Sequence, residues 1–211
     1  MAIKLPIGNT SFRDIRQKGS YYVDKTKFLI DLLDSDDMVT LITRPRRFGK
    51  SLMLSTMDEF FSIQNDKEET RKLFEGLEIM ERQDLVEEYM ANYPVMHFSF
   101  NGVVGLSYRQ LINCILTKMQ EWCINHKGLF RFENCDEEDI KLYKRIKKGI
   151  YCEEYGDPEK GQENKMNNMQ RFLSVMIRML HSSYGKDVIV LLDEYDVPLA
   201  KASAMDELVD I

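Results

Sequence analysis

Gly49, Lys50 and Ser51 stand together at the end of the stretch Arg44-Pro-Arg-Arg-Phe-Gly-Lys-Ser51. These types in this order can hold a phosphate and a metal ion. The first amides of a helix point at an anion, and glycine lets the chain come close to it. A lysine there reaches the terminal phosphates, and the following hydroxyl binds magnesium. The stretch matches G-x-x-x-x-G-K-[ST] with Arg44 in place of the first glycine. Taken alone, Gly-Lys-Ser is common by chance, and a basic turn with a capped helix behind it is the better fit. Its setting narrows the choice. The apolar run Val39-Thr-Leu-Ile-Thr43 precedes it, and a helical pattern opens near Ser51. Strand, loop and helix in that order are what a phosphate-binding loop needs.

A second chemical segment lies near the end of the chain. Val188-Ile-Val-Leu-Leu192 is a continuous branched apolar run, expected as a strand buried on both faces. It ends in Asp193-Glu194. In parallel sheets ligands sit beyond the carboxyl ends of the strands, so Asp193 is the expected magnesium acid and Glu194 the carboxylate that polarises an attacking water. The plainer alternative is an ordinary strand end with a solvated acidic turn. The two segments together, in this order, point to a nucleotide site.

Five stretches carry a resemblance: Tyr22-Val-Asp-Lys-Thr26, Leu41-Ile-Thr-Arg-Pro-Arg-Arg-Phe-Gly-Lys-Ser51, Leu73-Phe-Glu-Gly-Leu-Glu-Ile79, Tyr93-Pro-Val, and Leu192-Asp-Glu-Tyr-Asp-Val-Pro-Leu199. Through them the chain resembles the bacterial AAA-ATPase-like proteins from about Leu5 to Leu199. Arg44 is itself a trait of that family's loop. The resemblance implies ATP and Mg2+ as cofactors. Arg46, Arg47, Phe48, Gly49, Lys50 and Ser51 are its candidate nucleotide-binding residues, Ser51 and Asp193 its metal ligands, and Glu194 its catalytic residue. Family members usually continue past the Asp-Glu-Tyr-Asp segment. They complete the ATPase sheet and often carry a nuclease-like domain of the PD-(D/E)xK type, whereas this sequence stops at Ile211. Hydrolysis is therefore expected only in a complete version, with a nuclease-like domain or a partner completing the sheet. The alternatives are a nucleotide-gated switch without turnover and a remnant that binds nothing.

The elements that must position these residues follow from periodicity. A single domain over 1–211 is expected, with a lead-in and helix over 1–38 and a partial ATPase core over 39–211. Leu5 to Gly19 reads as irregular with one short helical turn. Asp24 is the expected N-cap of a helix carrying Phe28, Leu29, Leu32 and Leu33. Tyr21 or Tyr22 either stacks on a base or packs the helix start, and packing is the better fit. Met53, Met57, Phe60 and Phe61 mark a buried helix face behind the loop. Gln64 to Arg71 reads as a charged connector, and Leu85 to Met90 as a short helix. Val95 to Phe100 reads as a strand in which His97 is a satisfied core or edge residue. Ser107-Tyr-Arg-Gln110 is a capping box opening a long helix through Trp122. Asp136-Glu-Glu-Asp139 ahead of Lys141, Lys144, Arg145, Lys147 and Lys148 suits a helix dipole better than a DNA-binding face. Gly156 to Lys165 reads as a polar linker, Met166 to Ser183 as a helix, and Met205 to Asp210 as helical.

Strands alternating with helices predict an α/β fold, a P-loop NTPase-type parallel sheet flanked by helices and incomplete at its C-terminal side. Three strands are visible, with no occupant for the sheet position between the loop strand and the Asp-Glu strand. Composition sets outer bounds. The chain has 211 residues, 44% hydrophobic and 30% charged, enough for a core and a soluble surface. A formal net charge of −6 gives nucleic-acid binding no support from bulk charge. Cys114, Cys123, Cys135 and Cys152 make no C-x-x-C pair, and His97, His126 and His181 complete no zinc spacing, so reduced thiols are expected. No apolar leader or membrane-length run is present, and the cytoplasm is the expected compartment.

Overall fold

The computed structural model describes residues 4–35, 37–43, 45, 48–149 and 158–206, without side chains for 158–164 and 204–206. Two compact units divide the chain, Met1–His97 and Phe98–Ile211. The secondary structure is mostly helix with a small parallel two-stranded sheet, an α/β arrangement in the coarse sense.

The first unit holds α1 (Phe12–Gln17), α2 (Lys27–Asp34), α3 (Lys50–Phe61), α4 (Lys67–Phe74), a 3-10 turn (Glu78–Glu81) and α5 (Gln83–Tyr89). Its core forms where the expected face of α3 turns inward. Met53, Met57, Phe60 and Phe61 are all buried. Phe74 anchors the cluster, with ring centroids 4.6 Å from Phe12 and 5.3 Å from Phe60, distances at which aromatic pairs attract beyond their area. Arg13 ties α1 to α3 and α4 through Glu59 at 2.6 Å and Glu69 at 3.2 Å. His97 is satisfied as expected, its Nδ1 lying 3.1 Å from Asp58 Oδ2.

Three expectations fail here. The stretch expected as a charged connector is largely the start of α4. Asp66 caps that helix by accepting from the Glu69 amide, and buried Thr70, Leu73 and Phe74 give it an inner face. Helix α2 starts two residues later than a cap at Asp24 requires. Thr26 is its N-cap, without a side-chain cap bond. Asp24 instead bonds the Thr26 amide and hydroxyl, both at 2.8 Å, because a short carboxylate competes well for amides two residues on. Most important, Val39–Thr43 is not a strand. Its backbone belongs to no ladder among the described residues, and Val39 is 88% and Leu41 63% exposed. Branched apolar residues favour extended backbone, but hydrogen bonds to a neighbour make the strand.

The second unit contains α6 (Tyr108–Asn125), a 3-10 turn (Phe132–Asn134), α7 (Glu137–Lys147), α8 (Pro158–Tyr184), β2 (Ile189–Asp193) and α9 (Val197–Asp206). β1 (Val95–Ser99) leads into it and pairs with β2. The Ser107 hydroxyl accepts from the Gln110 amide, and Gln110 Oε1 accepts from the Leu106 amide, one residue earlier than the standard box. Asp136 caps α7 through the amides of Glu138 and Asp139, and Lys144, Arg145 and Lys147 fall in the last turn as the dipole favours. Helix α8 runs eight residues further back than the expected helix from Met166. Proline at a helix start breaks no intrahelical bond, so the presumed linker is helical from Pro158. Phe172, Val175, Met176 and Met179 face the core as expected. Phe172 packs perpendicular to Trp122 at 5.9 Å and lies 5.6 Å from Phe98.

β2 lies where a strand was expected, one residue later. Burial on both faces was not met. Leu191 and Asp193 are buried on one face, while Val190 on the other is 36% exposed. The helical reading near the C-terminus holds for α9 to Asp206; 207–211 lie outside the described residues.

Candidate functional site

Ahead of α3 the Phe48 amide donates to the Pro45 carbonyl at 3.4 Å. Gly49 follows with φ +79°, and the chain then enters the helix. That backbone region costs a residue with a Cβ roughly 1–2 kcal/mol, which explains the glycine. Gly49 is the N-cap of α3 and brings no side-chain oxygen to its first amides. Most helices begin with Ser, Thr, Asp or Asn for that purpose. Here the positive end of a twelve-residue helix begins without such a cap, and Lys50 and Ser51 are its first two residues. Arg44, Arg46 and Arg47 lie outside the described residues.

In the second unit Asp193 closes β2, buried at 8% exposure, and its carbonyl accepts from the Phe100 amide at 3.0 Å. Glu194 follows with φ +51°, a left-handed conformation uncommon for a residue with a side chain. Its carbonyl receives the Val197 amide at 3.1 Å, which starts α9. The acid pair therefore straddles a sharp strand-to-helix turn. Non-glycine residues held in this region cost of order 1–3 kcal/mol and concentrate at functional sites.

A family model described as a predicted AAA-ATPase matches residues 6–210. The chain belongs to this AAA-ATPase-like family. An uncharacterised protein encoded in the vnfD 5′ region of Azotobacter chroococcum mcd 1 is 33% identical over 197 residues, 93% of this chain. The chain spans 30% of that relative's length. No solved structure matches the chain. Membership supports a nucleotide-binding role of the ATPase kind in general terms.

Among the described residues no group of three or more His, Cys, Asp or Glu side chains gathers as a cage. Magnesium keeps several waters and takes only one or two protein oxygens beside those of phosphate; the Ser51 hydroxyl lies at the start of α3 in the first unit and the Asp193 carboxylate at the end of β2 in the second. The Cys123 thiol is a poor candidate for chemistry, since burial pushes it up to about 12. Cys152 lies outside the described residues. Among the described residues no helix is long and apolar enough to cross a membrane.

Beside the phosphate-type loop the first unit contains a cavity of about 400 Å³. Tyr21, Tyr22, Phe28, Phe48 and Met53 line it together with Gly49. Tyr22 packs edge-on against Phe12 at 5.2 Å, and its hydroxyl lies 3.4 Å from Thr56 Oγ1, so packing occupies this tyrosine. Burial raises its phenol above the ordinary value. Tyr21 and Phe48, both more than half exposed, offer open aromatic surface. Sequence reasoning missed two features. The cavity joins residues up to 51 positions apart (Pro6 to Met57), which no local pattern reveals. Lys25 also lies beside Gly49, in the stretch Tyr22–Thr26 that carried part of the resemblance. The turn at Glu194 left a weaker trace, as nothing but the abrupt end of an apolar run announced it.

Proposed function

We propose that this chain is the Mg-ATP-binding part of an AAA-ATPase-like protein. One observation carries the reading: a left-handed glycine starts α3 without a side-chain cap, and Lys50 and Ser51 are the helix's first residues. In this reading the Lys50 ammonium binds the terminal phosphates. The Ser51 hydroxyl and the Asp193 carboxylate serve the metal, Asp193 directly or through water. Arg46, Arg47 and Phe48 contact the nucleotide from the loop. Glu194 orients a water for in-line attack. Bound magnesium neutralises charge on the phosphates as they separate. Among the described strands β2 pairs with β1 alone, so a turnover-competent form gains a further strand from the rest of a longer protein or from a partner.

Titration calorimetry with Mg-ATP tests the assignment. Lys50→Ala is expected to lose about 1.5–3 kcal/mol of binding free energy, the range for charge-assisted contacts. Equal affinity of wild type and Lys50→Ala would remove Lys50 from the site. In a form that hydrolyses ATP, Glu194→Gln is expected to bind normally and to stop turnover, while Asp193→Asn weakens metal-dependent binding. Binding without turnover in every form, including the longest, would identify a nucleotide-gated switch.

A further inference from the structure

Lys25 is the cation that the loop motif does not account for. It lies 24 positions before Gly49 in sequence, yet its Nζ comes within 3.7 Å of the place where a Cβ on Gly49 would stand. Its side chain also lines the aromatic cavity beside the loop. Among the described residues no carboxylate pairs with it. The neighbouring acid is already committed. Asp24 Oδ1 receives the Thr26 amide and hydroxyl, and Oδ2 receives the Glu78 amide at 2.8 Å. Buried Thr26 in turn accepts from the Ile79 amide at 3.1 Å. These bonds fix the turn that presents Lys25, and none of them uses the Lys25 side chain.

The result is a lysine on a fixed turn whose ammonium lies against the positive end of α3 at Gly49, the residue before Lys50. An ammonium and a helix N-terminus repel one another unless an anion lies between them. The cavity supplies room for the remainder of such a ligand, with the exposed rings of Tyr21 and Phe48 on its lining.

We propose that Lys25 is a second phosphate-binding lysine of the nucleotide site, contacting the polyphosphate beside Gly49 while the rest of the nucleotide occupies the cavity. This rests on the nucleotide reading above and adds a residue from an independent element. An ammonium on a polyphosphate makes charge-assisted hydrogen bonds whose strength grows with the charge it meets.

Three proteins, wild type, Lys25→Met and Lys25→Arg, are titrated with Mg-ATP and with AMP, and melted to confirm folding. Lys25→Met keeps the aliphatic stem in the cavity wall and removes only the charge. It is expected to weaken Mg-ATP about tenfold or more and AMP much less, because the lost partner is the polyphosphate. Lys25→Arg is expected to retain most of the affinity. Salt dependence should also shrink in Lys25→Met, with a shallower fall in affinity on raising ionic strength. Equal Mg-ATP affinity for wild type and Lys25→Met overturns the proposal and leaves the loop assignment standing. An equal loss for AMP and Mg-ATP overturns it as well, since it would mark a structural role. If wild type binds neither nucleotide, the nucleotide reading itself falls, and Lys25 with it.

Discussion

Val39–Thr43 and Ile189–Asp193 are similar five-residue sequences. Each is rich in branched apolar residues, and each precedes a left-handed residue, Gly49 after a loop in one case and Glu194 immediately in the other. Only the second is a strand. It has β1 beside it, and Leu191 in its middle is 3% exposed, whereas Leu41 is 63% exposed. Intrinsic preference for extended backbone is therefore worth little without a ladder and a covered face. The contrast extends to the turns. At Gly49 the left-handed backbone is given to the one residue that adopts it freely. At Glu194 the same region is occupied by a carboxylate, and the local strain is tolerated.

The largest effect expected from this contrast is in the core of β2. Leu191→Ala should cost about 2–5 kcal/mol, the usual range for an emptied apolar site. The single tryptophan, Trp122, sits in the same unit, so urea unfolding followed by its fluorescence reads the loss. Alkali should act next. Burial pushes Cys123 from 9.0 and Tyr143 from 10.0 each up to about 12, so both stay neutral when folded. Their contribution is complete below pH 9 and is lost as pH rises through 12, because only the unfolded chain ionises in between. A fall on the order of 2 kcal/mol between pH 8 and 10.5 is expected in the Trp122 transition, and Cys123→Ala should flatten it. An unchanged midpoint over that range would mean that these groups are not held neutral. Glu194→Gly should then raise the stability of the same transition by about 1 kcal/mol by relieving the left-handed backbone, with turnover absent. A destabilised Glu194→Gly protein would mean that the carboxylate supports the fold. The smallest effect belongs to the other run. Leu41→Ala should change stability by less than about 0.5 kcal/mol in circular-dichroism melts. A cost matching that of Leu191→Ala would abolish the distinction between the two runs.

How far the sequence could be read follows the same division. Helices with a clear apolar face and a polar cap were legible. The inward face of α3, the Ser107 cap, the acid-first charge order of α7 and the core side of α8 are all local signals, decided within a few turns. The helical starts at Lys67 and Pro158 were hidden because charged, polar segments resemble connectors until a buried residue such as Thr70 gives them a face. The presence of β2 was legible, but its one open face was not, since a run of apolar residues states a preference and not what covers it. Gly49, Lys50 and Ser51 at the head of a helix were legible, as was an acid pair at the end of a strand. The cavity and the approach of Lys25 to Gly49 depend on contacts between distant positions, for which a single sequence holds no direct trace.

The ties from Asp24 and Thr26 to Glu78 and Ile79 span 54 and 53 positions. Each closes a long loop, so each is lost as soon as either end opens locally, and reclosing it has an entropic cost. The amide protons of Glu78 and Ile79 thus report on a turn far away in sequence. A nucleotide held by Lys25 would keep that turn shut. Both amides would then exchange with deuterated solvent more slowly in the liganded protein, although the 3-10 turn that carries them is absent from the lining of the cavity.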